Sequence, residues 1–131
     1  MADSTPRRLL VWRVGGMCCA APIERLREIL PGLPVARIPG VHPAVRGVAN
    51  VRGALVTVVD GRTVLGFPDA EEPGATLLVE VGPRTVGLAV DEVEDLIQGD
   101  GADSREGGRW HPAQPVRVLD LEELLQPLFG D

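Results

Sequence analysis

Four carboxylates fall close together after an apolar run, at Asp91, Glu92, Glu94 and Asp95. Paired acids can act as general acid and base when one is buried enough to keep its proton. A solvated acidic face explains the same spacing without chemistry, and that is the expectation. The two histidines, His42 and His111, each precede a proline in loop-like sequence, with no catalytic partner nearby in the chain. Cys18 and Cys19 are adjacent. Neighbours on a strand point to opposite faces, so a bridge between them would be strained. One buried and one partly exposed thiol are expected. The chain carries no Gly-rich phosphate loop, zinc-ligand spacing or nucleophile elbow. An enzyme is therefore not expected, and no catalytic residue, metal site or cofactor is assigned.

Arg52 is the one charged residue in an awkward place. It lies within "GVANVRGALVTVVDGRTVLG", Gly47 to Gly66, whose first half is otherwise uncharged. An arginine in apolar surroundings needs a carboxylate or a partner's acceptors, because an isolated buried charge is costly. Alternatively its stem packs on the surface and its head reaches solvent.

The elements that must hold these residues are short. A chain of 131 residues makes one domain with a modest core, or two small lobes sharing one. Hydrophobic residues make up 44 % and aromatics 3 %, so the core is aliphatic, and 16 Gly with 12 Pro favour a β-rich fold with many turns. Net charge is −6 and the arginines are dispersed, which disfavours nucleic acid and anionic membranes as partners. Neither a signal peptide nor an apolar stretch of about 20 residues is visible, and a cytoplasmic location is expected.

"LLVWRV" and "MCCAAPI" read as a hairpin turning at Gly15-Gly16. "PIERLREIL" reads as a helix, with Ile23, Leu26 and Leu30 on one face and Pro31-Gly32 ending it. Two strands flank Arg52-Gly53, and Asp60 can cap a short helix in "GRTVLG". "ATLLVEV" and "TVGLAVDEV" form a second hairpin, with Leu77, Val79 and Val81 facing inward along with Val86, Leu88 and Val90. "QGDGADSREGGRWHPAQP" reads as a long loop. A strand "VRVLD" precedes a terminal helix capped by Asp120, with Glu123 three residues on and a stripe of Leu121, Leu124, Leu125 and Leu128. "VLDLEELL" echoes "VVDGRTVL", which suggests two lobes on one plan.

The ordered motifs resemble one family. "NVRG" followed by "VVDGR" is similar to the signature of CheW-like domains, the adaptors of bacterial chemosensory arrays. "LLVWRV", "PIERLREIL", "RIPGVHPAVRG", "VGLAVDEVEDL" and "VLDLEELL" agree in order, so the resemblance covers nearly the whole chain. It implies a mainly β fold of two SH3-like β-barrel lobes packed together with short helices. The first lobe would span about 15–66, the second about 70–119 plus the N-terminal strand, and the C-terminal helix about 120–129.

The resemblance also implies a non-enzymatic adaptor. It would bind the cytoplasmic tip of methyl-accepting chemoreceptors, link it to a CheA-type histidine kinase, and meet other CheW-like proteins within receptor clusters. Carried over by position, the receptor-binding groove falls on Leu26, Glu28, Arg52, Gly53, Ala54, Leu55 and Val90, with Glu28 as the partner of Arg52. The kinase contact falls on Val41, Ala44, Arg46 and Gly47. Thr57 stands where the family usually has Pro, and Gly61 where it has Leu. The stretch between "VGLAVDEV" and "VLDLEELL" is shorter than the family norm, so the second lobe is expected to be incomplete. That makes a receptor-only accessory adaptor the alternative, as beside a standard adaptor in Frz-type systems. A small β-barrel binder of a ligand or nucleic acid is the alternative of another class; it would need a basic or aromatic face that the sequence does not offer.

Overall fold

In the computed structural model, which describes residues 7–68, 72–99 and 116–129, nine strands form two sheets. β1 (Arg7–Val14) and β2 (Met17–Pro22) make the expected hairpin, with Gly15 at φ 57° in the turn. β8 (Glu92–Gly99) pairs with the other side of β1, and β9 (Val116–Val118) runs parallel to β2. The result is a four-stranded sheet in the order β8-β1-β2-β9.

The second sheet has five strands in the order β3-β6-β7-β5-β4. These are β3 (Leu26–Pro31), β4 (Val45–Val51), β5 (Ala54–Asp60), β6 (Ala75–Val81) and β7 (Arg84–Val90). Strand pairing groups the chain differently from the ranges 15–66 and 70–119. β2 joins β1, while β6 and β7 join β3, β4 and β5. Two short helices, α1 (Gly61–Val64) and α2 (Leu121–Leu125), follow β5 and β9 and are capped by Asp60 and Asp120 as expected. The Gly-rich stretch around Trp110 lies outside the described residues.

The helix expected over "PIERLREIL" is not formed. Ile23–Arg25 make one 3₁₀ turn, and Leu26–Pro31 continue as β3 against β6. A β-bulge explains the misreading. Leu26 pairs with Val79, Glu28 with Leu78 and Ile29 with Leu77, so Arg27 is the extra residue. Opposed residues share a face, and the bulge therefore puts Leu26 and Ile29 on one side at a spacing that imitates a helix. A strand at Glu92–Gly99 was not expected either, and its cause is similar. Its register against β1 slips between Asp95 and Val93, which breaks the alternation that marks a strand.

Each sheet is buried on both faces. Leu10, Trp12, Val14 and Cys19 meet Val59, Leu77, Val79, Val86, Leu88 and Val90 in a central cluster that also takes Leu121 and Leu125 of α2. Leu9, Val11, Cys18, Ala20 and Ile97 pack behind the four-stranded sheet, and Ala49, Val58 and Ala89 behind the other. Burial on both faces accounts for the near-continuous apolar runs of β1, β2 and β6. It also corrects the expectation for the cysteines: Cys18 and Cys19 are both buried, on opposite faces of β2. Both remain thiols, and burial raises the Cys19 pKa from its ordinary 9.0 to about 11.

Candidate interaction site

Arg52 is placed by its turn. β4 and β5 pair from Val45↔Val59 to Val51↔Ala54, leaving Arg52-Gly53 as a two-residue loop. Both have positive φ, 52° and 90°, as the tight turns that suit twisted hairpins require. Gly adopts this region readily, whereas Arg does so at a cost. The Asn50 carboxamide oxygen accepts the Gly53 N–H at 2.8 Å and closes the loop from below. Arg52 through Leu55 are all exposed, Leu55 at 73 %.

The Arg52 guanidinium donates to the Glu28 carboxylate, forming an ion pair. Glu28 is on β3, at one edge of the five-stranded sheet, while Arg52 joins β4 and β5 at the other. The pair can form only because the sheet rolls until its two margins approach. A bridge between Ala36 and Val48 adds cover to the β4 edge. The bridged segment leaves no room at Gly47, where a Cβ would sit 2.2 Å from the Ala36 carbonyl oxygen.

The bulge at Arg27 divides the residues expected to share one groove. Glu28 faces with Leu78, away from the central cluster, and so does its contact with Arg52. Leu26 faces the other way with Ile29, toward the four-stranded sheet. There they meet Val93 and Leu96 of β8 across a mainly apolar groove of about 360 Å³, with Leu10, Ile23, Glu94 and Asp95 also lining it. Ile29 is 45 % exposed and Leu96 42 %. Val90 does not border this groove. It is buried in the central cluster.

Of the other four predicted contact residues, only Val41 is well exposed. Ala44 is buried, Gly47 is enclosed by Ala36, and Arg46 donates to the buried Asp60 carboxylate at 2.9 Å. Asp60 also accepts the Arg62 and Thr63 N–H groups at 2.9 and 3.1 Å, so one side chain caps α1 and anchors Arg46. The acidic run is not a bare acidic face. Asp91 is held by Arg62, and Glu94 accepts from Arg13 at 3.0 Å. Donation of a hydrogen bond to Glu94 raises the Glu92 pKa, and accepting that bond, followed by the one from Arg13, lowers the pKa of Glu94. A larger cavity of about 750 Å³ lies between the end of β2 and the start of α2. Its walls are more polar, and Arg25 and Glu122 bridge at 2.9 Å beside it. Among the described residues no set of metal-ligating side chains gathers, and no helix is long and apolar enough to cross a membrane.

The profile of the CheW-like domain matches residues 8–128. The chain belongs to the CheW-like family. Chemotaxis protein CheW of Bacillus subtilis (strain 168) is 33 % identical over 95 residues, covering 71 % of this chain and 61 % of that protein. Chemotaxis protein CheW of Rhizobium meliloti (strain 1021) is 36 % identical over 93 residues, covering 70 % and 60 %. The matched chain thus spans about three fifths of these curated relatives' length. The crystal structure of the scaffolding protein TtCheW from Thermoanaerobacter tengcongensis superposes with a TM-score of 0.77 at 18 % identity. That superposition covers 92 % of this chain and 93 % of the other, and it shows a shared fold. This CheW-like domain is accordingly mainly β, with sheets of four and five strands and short helices.

Within the CheW-like fold, Ile29, Val93 and Leu96 are the groove residues that sequence reasoning missed. A usable signal was present. "LREI" and "VEDL" both set two charged residues between apolar ones, and each becomes a bulged strand at the margin of its sheet.

Proposed function

We propose that this CheW-like domain is a non-enzymatic scaffold of a chemosensory array. It binds the helical cytoplasmic tip of a methyl-accepting chemoreceptor, links it to a CheA-type histidine kinase, and works at receptor clusters on the cytoplasmic side. The groove between β3 and β8 carries the proposal. Leu26, Ile29, Val93 and Leu96 offer a strip of apolar surface between two sheet margins. An amphipathic helix can fill such a strip with its own apolar stripe. The Glu28–Arg52 pair lies on the opposite face of β3 and supports the site by fixing that strand against the β4–β5 hairpin. Exposed Leu55 extends the contact surface at the hairpin tip.

Reconstitution with receptor-containing membranes and the kinase from the same bacterium tests this reading. Co-sedimentation with receptors and raised kinase autophosphorylation are expected. Failure to sediment with receptors would contradict it.

A second reading has one observation in its favour. Ala44 and Gly47 are buried and Arg46 is held by Asp60, so of the proposed kinase contacts only Val41 stands well exposed. A receptor-only accessory adaptor of the Frz type would sediment with receptors and leave the kinase in solution.

A further inference from the structure

The "VVDGR" segment has a charged residue that neither the groove nor the Arg52 turn uses. Arg62 grips Asp91 with both arms, Nε to Oδ1 at 2.8 Å and a terminal nitrogen to Oδ2 at 2.7 Å. Asp91 occupies a singular place in the chain. β7 of the five-stranded sheet ends at Val90 and β8 of the four-stranded sheet begins at Glu92, so the chain changes sheets at this one residue. The other direct crossing is the 3₁₀ turn Ile23–Arg25, between β2 and β3. Each groove wall, β3 and β8, therefore starts immediately after a crossing.

The Asp91 crossing is tied to both sheets. Its carboxylate accepts the Gly15 N–H of the β1–β2 turn at 3.0 Å as well as the Arg62 fork, and its own N–H donates to the Arg13 carbonyl at 2.9 Å. Gly74 packs so closely that a Cβ there would lie 2.2 Å from the Asp91 carbonyl oxygen. Arg62 belongs to α1, directly after β5, the strand that leaves the Arg52 turn. A bidentate guanidinium–carboxylate pair fixes direction as well as distance. We infer that Arg62 and Asp91 form a latch across the sheet crossing that sets the width of the β3–β8 groove, making both positioning residues for a helix docked there. This rests on the groove being the receptor site, as far as binding is concerned.

The latch is tested by pulsed electron paramagnetic resonance on the full chain. Spin labels go on cysteines introduced at Arg27 and Asp95, both exposed; Cys18 and Cys19 are buried and will not take label in the folded protein. Arg62→Gln should broaden or shift the β3–β8 distance distribution. It should also weaken binding of the receptor's cytoplasmic fragment by about three- to tenfold. Arg62→Lys, which keeps the charge but loses the two-armed grip, should restore only a small part of either. An unchanged distance distribution in Arg62→Gln overturns the latch, whatever happens to affinity. A changed distribution with unchanged affinity overturns the positioning role. If the wild-type chain does not bind the fragment at all, the scaffold reading fails and the distance measurement still decides the latch.

Discussion

Arg52 combines a conformational cost with an electrostatic contact, and the two can be separated. Its φ of 52° disfavours any residue with a Cβ, while its pair with Glu28 is largely exposed and contributes about 0.2–1 kcal/mol. Arg52→Gly should thus leave unfolding free energy within about 1 kcal/mol of wild type in urea titrations, while receptor retention falls. Asp60 is the opposite case. It is 2 % exposed and holds Arg46 together with two N–H groups of α1. Asp60→Ala removes the acceptor of the 2.9 Å bond from Arg46 and of two α1 N–H groups, and the same titrations should show a loss of about 2–5 kcal/mol. Cys19 sets a pH limit. Its folded pKa is raised, so its stabilising contribution is full below pH 9.0 and is lost as pH climbs through about 11. Urea midpoints should fall across that window, and Cys19→Ala should flatten the fall. At this scale the caps at Asp60 and Asp120 were legible from local rules. The Glu28–Arg52 contact was not: its partners are 24 residues apart, and only the family resemblance pointed to them.

At the level of elements, hairpins were easy to read and bulged strands were not. The β1–β2 and β6–β7 pairs announce themselves through Gly at the turn and apolar runs on either side. β3 and β8 fail that test because one extra residue in each register resets the alternation, and in β3 it mimics a helical face. Those two strands wall the groove, so the site was the least legible part of the fold. Gly47 shows how tightly the segment at Ala36 packs on the β4 edge. Gly47→Ala would push a methyl to 2.2 Å from the Ala36 carbonyl oxygen and should cost at least about 2 kcal/mol. Gly40, at φ 82° with nothing within 4 Å of a built Cβ, is the control: Gly40→Ala should cost only about 1–2 kcal/mol. Thermal or urea unfolding of the two variants side by side checks the difference.

For the whole molecule, the aliphatic composition becomes a core of layers, with one cluster between the sheets and a smaller one behind each. The β-rich class was readable from Gly and Pro content with an aliphatic composition, but the sheet membership of each strand was not, because β2 and β9, and β5 and β7, pair in parallel across long stretches of chain. The arrangement leaves the β3–β8 groove as an apolar seam between the sheets, which in the proposed function a receptor helix fills. Ile29 and Leu96 are 45 % and 42 % exposed, so replacing them should hardly affect folding. The most direct measurement is the affinity of the receptor's cytoplasmic fragment for wild type and for the Ile29→Ser, Leu96→Ser double variant, by isothermal titration. Weakening of about tenfold or more is expected in the double variant, with only a small change in unfolding. Equal affinity for the two proteins would contradict docking in this groove.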